Sequence, residues 1–249
     1  MMTASRTGRH PRPADVAFAA AWGAALTWYN NVAGGQAWHR RWYPAINLAA
    51  SVTGLALARA SGLTAADLGL AAGRLRPGLR LGCAVAAPVA ASLTAAAALP
   101  ATRPLLTDER NTAVTGWRQA YEVLLRIPLG TVAWEEAAFR GVLHASLRRV
   151  LPAPAAIAVT SGLFGAWHIR PTADALRINQ LSPTPRAQTV GVVSGVLATG
   201  AAGALLSCLR ERSGSLAAPV VVHLTSNCGA LLASSFAGRR AAGRSRPTA

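Results

Sequence analysis

The chain has 249 residues, of which 52% are hydrophobic and only 14% are charged. A soluble globular domain carries about 25% charged residues, so this composition excludes an ordinary soluble globule. The abundance of apolar residues excludes a disordered chain as well. The composition therefore predicts an all-α protein, a polytopic bundle of transmembrane helices.

The basic residues number 25 against nine acidic ones, which gives a net charge of +16, and every basic residue is arginine. The arginines lie in short polar stretches between apolar runs, as at Arg40 and Arg41 or Arg148 and Arg149. This placement favours contact with phospholipid head groups. We therefore expect a lipid bilayer as partner and no nucleic acid, although a high pI is also a mark of nucleic-acid-binding proteins.

Most of the apolar segments reach the roughly 17–25 residues that a span needs, which predicts about seven to eight spans in a multi-pass protein of the cell membrane. A basic N-terminus, 1–14, is expected in the cytoplasm, before an uncleaved first span. Alternation then places the arginine-containing loops 62–78, 148–152 and 210–215 on the same side. Seven segments are predicted, in chain order, near 15–34, 44–61, 79–100, 117–147, 153–169, 188–209 and 216–237.

Two stretches are not expected to be simple membrane-spanning helices. The fourth segment is longer than a span needs and contains charges, so we expect it to extend out of the bilayer or to be broken. Residues 170–187 contain Pro171, Pro183 and Pro185 and are predicted as a connecting loop. Glycines at close spacing, Gly162 and Gly165 among them, predict close helix packing.

Ionisable residues inside membrane segments indicate function, because burying them is costly. The fourth segment contains Glu135, Glu136 and Arg140. Glu136 and Arg140 are spaced i,i+4 and are expected to pair. Glu135 lies about 100° further round the helix, outside that pair. A carboxylate that faces a poorly hydrated cavity suits a general base.

Two further motifs follow on later segments. Phe164 and His168 share a face at i,i+4, and so do His223 and Asn227. Taken alone, such a histidine is more often a packing residue, although His223 and Asn227 can donate hydrogen bonds to an oxyanion. His144 continues the Glu136–Arg140 stripe and is expected in a second layer or facing solvent.

The depth of these residues in the membrane, counted along their helices, indicates that they belong to one site. At 1.5 Å per helical residue, counted from the expected cytoplasmic ends, Glu135, His168 and Asn227 lie roughly 21–22 Å in and His223 lies about 16 Å in. Packing residues on three separate segments have no reason to share a depth. One site lined by these four side chains is the economical interpretation.

The three motifs together resemble the CPBP family of intramembrane proteases, also called the Abi or CAAX prenyl protease family. The pattern Glu-Glu-x-x-x-Arg, Phe-x-x-x-His and His-x-x-x-Asn is matched in order at 135–140, 164–168 and 223–227. The resemblance covers roughly 117–232, within a catalytic core placed at 117–237. The N-terminal transmembrane part, 15–116, matches only in being hydrophobic, and a basic tail, 238–249, follows the core.

The resemblance implies an endopeptidase that cleaves a membrane protein or a lipidated, possibly CAAX-type, peptide by attack of water. It implies that Glu135 is the general base, that His168 holds or activates the water, and that His223 and Asn227 stabilise the oxyanion. Glu136, Arg140 and Phe164 would support these groups. The cofactor stays open: Glu135, His168 and His223 are a ligand set that zinc accepts, but HExxH is absent and the resemblance also permits water activated without metal.

Other readings stay open. A serine protease using Ser215 and a cysteine protease using Cys228 both lack a suitable nucleophile motif or base. A transporter would need paired broken helices in two halves, and the sequence shows no such symmetry. The strongest alternative is a non-catalytic membrane scaffold or a bacteriocin-immunity-type protein, against which the intact Glu135, His168, His223 and Asn227 argue.

Overall fold

The computed structural model describes residues 12–112 and 114–244, the last four by their backbone alone. These residues contain helices and turns but no strand. The N-terminal stretch 1–11 and the end of the basic tail, 245–249, lie outside the described residues. The described helices are α1 Pro13–Asn31, α2 Ala37–Arg41, α3 Tyr43–Ala60, α4 Leu75–Ala98, α5 Glu109–Thr112, α6 116–147, α7 Ala153–Trp167, α8 Ile169–Ile178, α9 Pro185–Ser213 and α10 Ala217–Arg244.

Each predicted apolar segment corresponds to a helix, so the all-α class is confirmed. The predicted loop 170–187 is wrong, because α8 occupies Ile169–Ile178 and α9 already begins at Pro185. Its prolines lie near helix starts, where a missing N–H has no intrahelical partner to lose. Thr184 assists there, since its side chain accepts a hydrogen bond from the Ala187 amide.

The predicted loop 210–215 is also too wide. Helix α9 continues to Ser213 and ends at Gly214, which has a φ of +67°. Glycine adopts that left-handed conformation without the cost that a side chain imposes, which makes it a common helix terminator.

Helix α6 is the central element of the fold. It is helical throughout 116–147, so the expected break is absent from it, but Glu122–Val132 and Glu136–Leu143 wind as wider π-type turns. Pro128 lies in the first of these stretches and cannot donate to the helical ladder. From Trp134 to Leu147 every residue of α6 is buried. The helices packed around α6 therefore determine what its charged residues meet.

Close helix contacts depend on individual glycines. A Cβ on Gly165 of α7 would lie 2.6 Å from the Val196 carbonyl oxygen of α9. On α4, a Cβ on Gly82 would lie 2.9 Å from the Ala218 carbonyl oxygen of α10. The predicted close packing holds at Gly165 but not at Gly162, where a Cβ would meet no described atom within 4 Å.

Within the described residues, three helices are long and apolar enough to cross a membrane: Ala72–Ala98, Pro185–Ser213 and Ala217–Arg240. The predicted count of seven to eight spans is not confirmed. Among the remaining helices, α7 is too short, with 15 residues, and α6 contains several charged side chains.

Candidate active site

The predicted pair of Glu136 and Arg140 forms inside the protein. Arg140 Nη1 donates to Glu136 Oε1 at 3.0 Å, and both side chains are buried. The ring of Phe164 on α7 covers the guanidinium, with Arg140 Cζ 4.1 Å from the ring centroid. Gly203 of α9 lies on the same side, its carbonyl oxygen 3.4 Å from Arg140 Nη2. Helices α7 and α9 thus enclose an ion pair that belongs to α6.

His223 of α10 joins this pair across 87 positions of sequence. Its Nδ1 donates to Glu136 Oε1 at 2.8 Å, so one carboxylate oxygen accepts from both the histidine and Arg140. An ionised carboxylate only accepts, which places a proton on His223 Nδ1. The ring orientation is thereby set, and its other nitrogen, Nε2, faces Glu135.

Glu135 is the carboxylate that the Arg140 pair does not use. Its Oε2 lies 3.8 Å from His223 Nε2, which is too long for a direct hydrogen bond. That oxygen is buried and has no hydrogen-bond partner among the described residues. A buried acceptor without a partner is costly, and such groups are typical of reaction sites.

The charges of this cluster are nearly balanced. With Glu135, Glu136 and Arg140 ionised, the formal sum is −1. One more proton, on His223 Nε2 or on Glu135, makes the buried cluster neutral, and a buried charge is costly unless it is balanced. The arrangement therefore favours a second proton on the ring of His223.

His168 reaches the cluster through Phe164. It follows the last residue of α7, and its Nδ1 donates to the Phe164 carbonyl oxygen at 2.8 Å. Its ring centroid lies 4.7 Å from that of Phe164, which in turn is 6.4 Å from the ring of His223. Because a carbonyl only accepts, the ring proton lies on Nδ1, and Nε2 is the nitrogen that can accept a hydrogen bond.

Asn227 lies one turn beyond His223 on α10, and its surroundings differ from those of the other predicted residues. It lines a polar cavity together with Glu122 and Arg126 of α6. The described contacts thus connect Glu135, Glu136, Arg140, His223 and Phe164, bring in His168 through Phe164, and place Asn227 in the wall of the neighbouring cavity.

The residues proposed for zinc do not form a three-ligand site. Among the described residues, no group of three or more His, Cys, Asp and Glu side chains is arranged to hold a metal ion. His223 Nδ1 is bonded to Glu136, and His168 Nδ1 is bonded to a backbone carbonyl. These bonds leave the Nε2 atoms of both histidines free, as in histidines that bind a metal, so the donor chemistry suits zinc although the three side chains are not gathered into one site among the described residues.

Two positions are predicted for His144, either behind the site residues or facing solvent. The solvent-facing alternative is wrong. The side chain is buried, and its Nε2 lies 2.7 Å from Glu211 Oε1 on α9. Arg148 Nε contacts the same oxygen at 2.9 Å. The sequence could not show this, because Glu211 meets α6 only after α9 has packed against it.

The sequence also missed a buried polar network on the N-terminal helices. The Tyr29 hydroxyl contacts Asn47 Oδ1, and His39 Nε2 lies 2.9 Å from the same hydroxyl. Asn47 Nδ2 donates to the Gly130 carbonyl oxygen at 2.6 Å, which joins α3 to α6 a turn before Trp134. A search for uncharged polar residues in apolar segments would have found Asn47.

The two other nucleophiles have structural roles. Ser215 Oγ accepts a hydrogen bond from the Ala217 amide at the start of α10, as a capping residue does. Cys228 Sγ lies 3.8 Å from the Val123 carbonyl oxygen in an apolar contact between α10 and α6.

Residues 117–229 match the family model described as "Type II CAAX prenyl endopeptidase Rce1-like". The match spans a little under half of the chain, from the start of α6 into α10, and contains all three motifs. Over these residues the chain is similar to type II CAAX prenyl endopeptidases, and the resemblance of its motifs to the CAAX prenyl protease family is confirmed. Comparison with curated proteins and with solved structures gave no match. The family and the three apolar helices indicate a membrane protein with a protease-type core.

Proposed function

We propose that the protein is an intramembrane endopeptidase that hydrolyses a peptide bond of a membrane-associated, CAAX-type prenylated substrate. The observation that carries the proposal is the relation of Glu135 to His223. A buried carboxylate oxygen without a hydrogen-bond partner among the described residues faces the free nitrogen of a histidine, and that histidine is oriented by Glu136 and Arg140.

In the proposed reaction, Glu135 takes a proton from water while the water oxygen attacks the carbonyl carbon of the substrate. The His168 lone pair accepts the second hydrogen bond of that water and orients it. His223, protonated on both nitrogens, and the Asn227 amide donate to the oxyanion that forms. When the C–N bond breaks, Glu135 returns its proton to the leaving amine. The protonated His223 is consistent with the charge balance of the cluster.

The proposal includes a multi-pass protein of the cell membrane with about seven to eight spans. The large apolar side chains that the described surface exposes on α4 and α9, such as Leu79, Val190 and Leu197, support extensive lipid contact. The basic stretches 62–78, whose last residues are helical because α4 begins at Leu75, and 148–152 would face the cytoplasm.

The test is cleavage by purified, detergent-solubilised protein of a prenylated CAAX peptide and of a library of membrane segments. Wild type is compared with Glu135→Gln and with the control Glu211→Gln, which also removes a carboxylate next to a histidine. We expect cleavage by wild type and by the control, and none by Glu135→Gln. Parallel reactions with a chelator test the metal independently. Undiminished cleavage by Glu135→Gln would contradict the proposal.

A further inference from the structure

The N-terminal helices α1 to α3 lie outside the family match, yet two of their side chains bond to the backbone of α6. Asn47 Nδ2 of α3 donates to the Gly130 carbonyl oxygen at 2.6 Å. Trp22 Nε1 of α1 donates to the Ala138 carbonyl oxygen at 3.1 Å. Carbonyls inside a helix ordinarily accept from amides of the same helix, so side-chain donors here indicate that the hydrogen-bond ladder of α6 is disturbed.

The two bonded carbonyls belong to the two stretches in which α6 winds more widely. Gly130 lies in the first of these stretches and Ala138 lies in the second. The short α-helical turn Ala133–Glu135 separates the two stretches, and its last residue is Glu135. Turns of the π type are rare and occur frequently at functional sites. The N-terminal helices therefore contact α6 on both sides of the proposed general base.

The winding of α6 determines where Glu135 points. Neighbouring residues of an α-helix lie about 100° apart round its axis, so a change of one residue in the winding before Glu135 would turn its side chain away from His223. The distance of 3.8 Å between Glu135 Oε2 and His223 Nε2 thus depends on the wide turn that contains Gly130. A donor that meets the Gly130 carbonyl only in this winding stabilises it over a regular α-helix.

The Asn47 side chain is held in one orientation by its other neighbours. The Gly130 carbonyl only accepts, so the Asn47 amide nitrogen faces it and the amide oxygen faces the Tyr29 hydroxyl. Tyr29 donates to that oxygen and accepts from His39 Nε2, which lies 2.9 Å from the hydroxyl. The Tyr29 ring also packs on Trp134, with ring centroids 5.3 Å apart. The same network therefore touches the α-helical turn between the wide stretches.

Gly130 allows α3 to come this close to α6. A Cβ on Gly130 would lie 2.9 Å from Tyr43 Cδ1 and 3.2 Å from Pro44 Cα. The Tyr43 hydroxyl adds a contact to Thr131 Oγ1 at 3.1 Å. The bond from Asn47 thus depends on a glycine at this position of α6.

We propose that Asn47 and Trp22 are positioning residues, which hold the winding of α6 and thereby direct Glu135 toward His223. The inference rests on the proposed function, because it takes Glu135 as the general base. It gives the N-terminal helices a part in the reaction, although they contain none of the three motifs and lie outside the residues that match the family.

Cleavage kinetics test the role of Asn47. Asn47→Leu removes the amide that bonds to α6, and its matched control is Asn179→Leu, which removes an amide that joins the end of α8 to α5. The single-turnover rate is measured with the prenylated CAAX peptide and saturating protein. The affinity for the same peptide is measured with each variant combined with Glu135→Gln, so that the peptide stays intact.

Asn47→Leu should lower the single-turnover rate by about 10–100-fold and leave the affinity within about twofold, because a misplacement of about 1 Å can cost about 100-fold in rate. Asn179→Leu should lower stability without slowing cleavage. An Asn47→Leu protein that cleaves at the wild-type rate, or that loses affinity rather than rate, would overturn the inference. The proposed protease fails separately, if Glu135→Gln cleaves like wild type.

A milder variant tests Trp22 and carries the test if Asn47→Leu does not fold. Trp22→Phe keeps an aromatic ring but removes the N–H donor, and its control is Trp28→Phe, which changes an exposed tryptophan of the same helix. Trp22→Phe should slow cleavage by up to about tenfold, the size of one lost hydrogen bond, and Trp28→Phe should not. Equal rates in the two variants would overturn the role of Trp22.

Hydrogen exchange followed by mass spectrometry tests the inference without a substrate. Asn47→Leu should speed the exchange of amides in 128–143 and leave the exchange of α9 as in wild type, because only the winding of α6 is released. Unchanged exchange in α6 would show that Asn47 does not hold its winding. Equally faster exchange in α6 and α9 would show a general loss of stability, and either result would overturn the inference.

Discussion

Helix α6 takes part in two clusters that each combine a histidine, a glutamate and an arginine. The two clusters differ in burial and in whether a further carboxylate lies beside them. In the first, Glu136, Arg140 and His223 are buried, and a further carboxylate, Glu135, lies beside the histidine. In the second, His144 is buried, but Glu211 and Arg148 are 30% and 38% exposed.

The two clusters differ in whether every carboxylate has a hydrogen-bond partner. In the second cluster, Glu211 is bonded to both His144 and Arg148 near the helix end, so its charge is satisfied. In the first, Glu136 satisfies Arg140 and His223 and thereby leaves Glu135 without a partner among the described residues. The second cluster joins α9 to α6, whereas the first leaves Glu135 available for the general-base role proposed above.

The largest expected difference between the clusters is in activity. Glu135→Gln should lower kcat for a cleaved substrate by roughly 10²–10⁴-fold, the contribution of a general base. Glu211→Gln should leave kcat within about twofold of wild type, because that carboxylate has no role in the proposed reaction. Single-turnover cleavage measures both. A large loss in Glu211→Gln at unchanged folding would remove the distinction between the clusters.

The second largest difference is expected in the loss of stability when Arg140 or its exposed counterpart, Arg148, is replaced. Arg140→Met leaves Glu136 buried with only His223 as partner, and breaking a buried pair in this way costs about 3–5 kcal/mol of unfolding free energy. The measurement is unfolding in detergent followed by circular dichroism. An Arg140→Met protein as stable as wild type would show that the buried pair contributes little. The double variant Glu136→Leu/Arg140→Met should recover part of the loss, since it removes both charges of the pair but leaves His223 Nδ1 without its acceptor.

Contacts of the candidate site could be predicted when both residues lie close together in the sequence, on one helix. The Glu136–Arg140 pair follows from helical spacing alone, and it formed. The contact of His223 with Glu136 could not be read from spacing, because it depends on how α10 crosses α6. Asn227 shares a helical stripe with His223, but successive i,i+4 positions drift by about 40° round the helix. That drift, together with the crossing of α6, places Asn227 in the neighbouring cavity.

The fold was predictable to a similar extent. Apolar runs located the helices well, because length and composition are local properties. The loop predicted at 170–187 was wrong because its prolines were taken as signs of a loop, whereas Pro171 and Pro185 lie at helix starts. The count of seven to eight spans stays a prediction, because length and apolarity alone identify three candidate spans among the described helices.

A smaller effect is expected from the helix contact that positions Phe164 over Arg140. Gly165→Ala would place a Cβ 2.6 Å from the Val196 carbonyl oxygen and force α7 away from α9. Such overpacking costs about 1–3 kcal/mol, and it should lower activity as well, since Phe164 moves with α7. Gly162→Ala is the matched control and should be neutral or stabilising by up to about 1 kcal/mol, because alanine favours the helix. Equal stability of the two variants in thermal unfolding would contradict the packing argument.

The smallest expected effect concerns Arg148, the exposed counterpart of Arg140. Arg148→Gln removes one contact to Glu211 but leaves that carboxylate bonded to His144 and partly hydrated. Exposed ion pairs contribute about 0–1 kcal/mol, so the unfolding free energy should fall by no more than that. Because the pair is exposed, the difference should shrink further at 0.5 M salt, whereas the effect of Arg140→Met should persist. Unfolding curves at low and high salt measure both, and a salt-independent loss in Arg148→Gln would mean that the second cluster is as enclosed as the first.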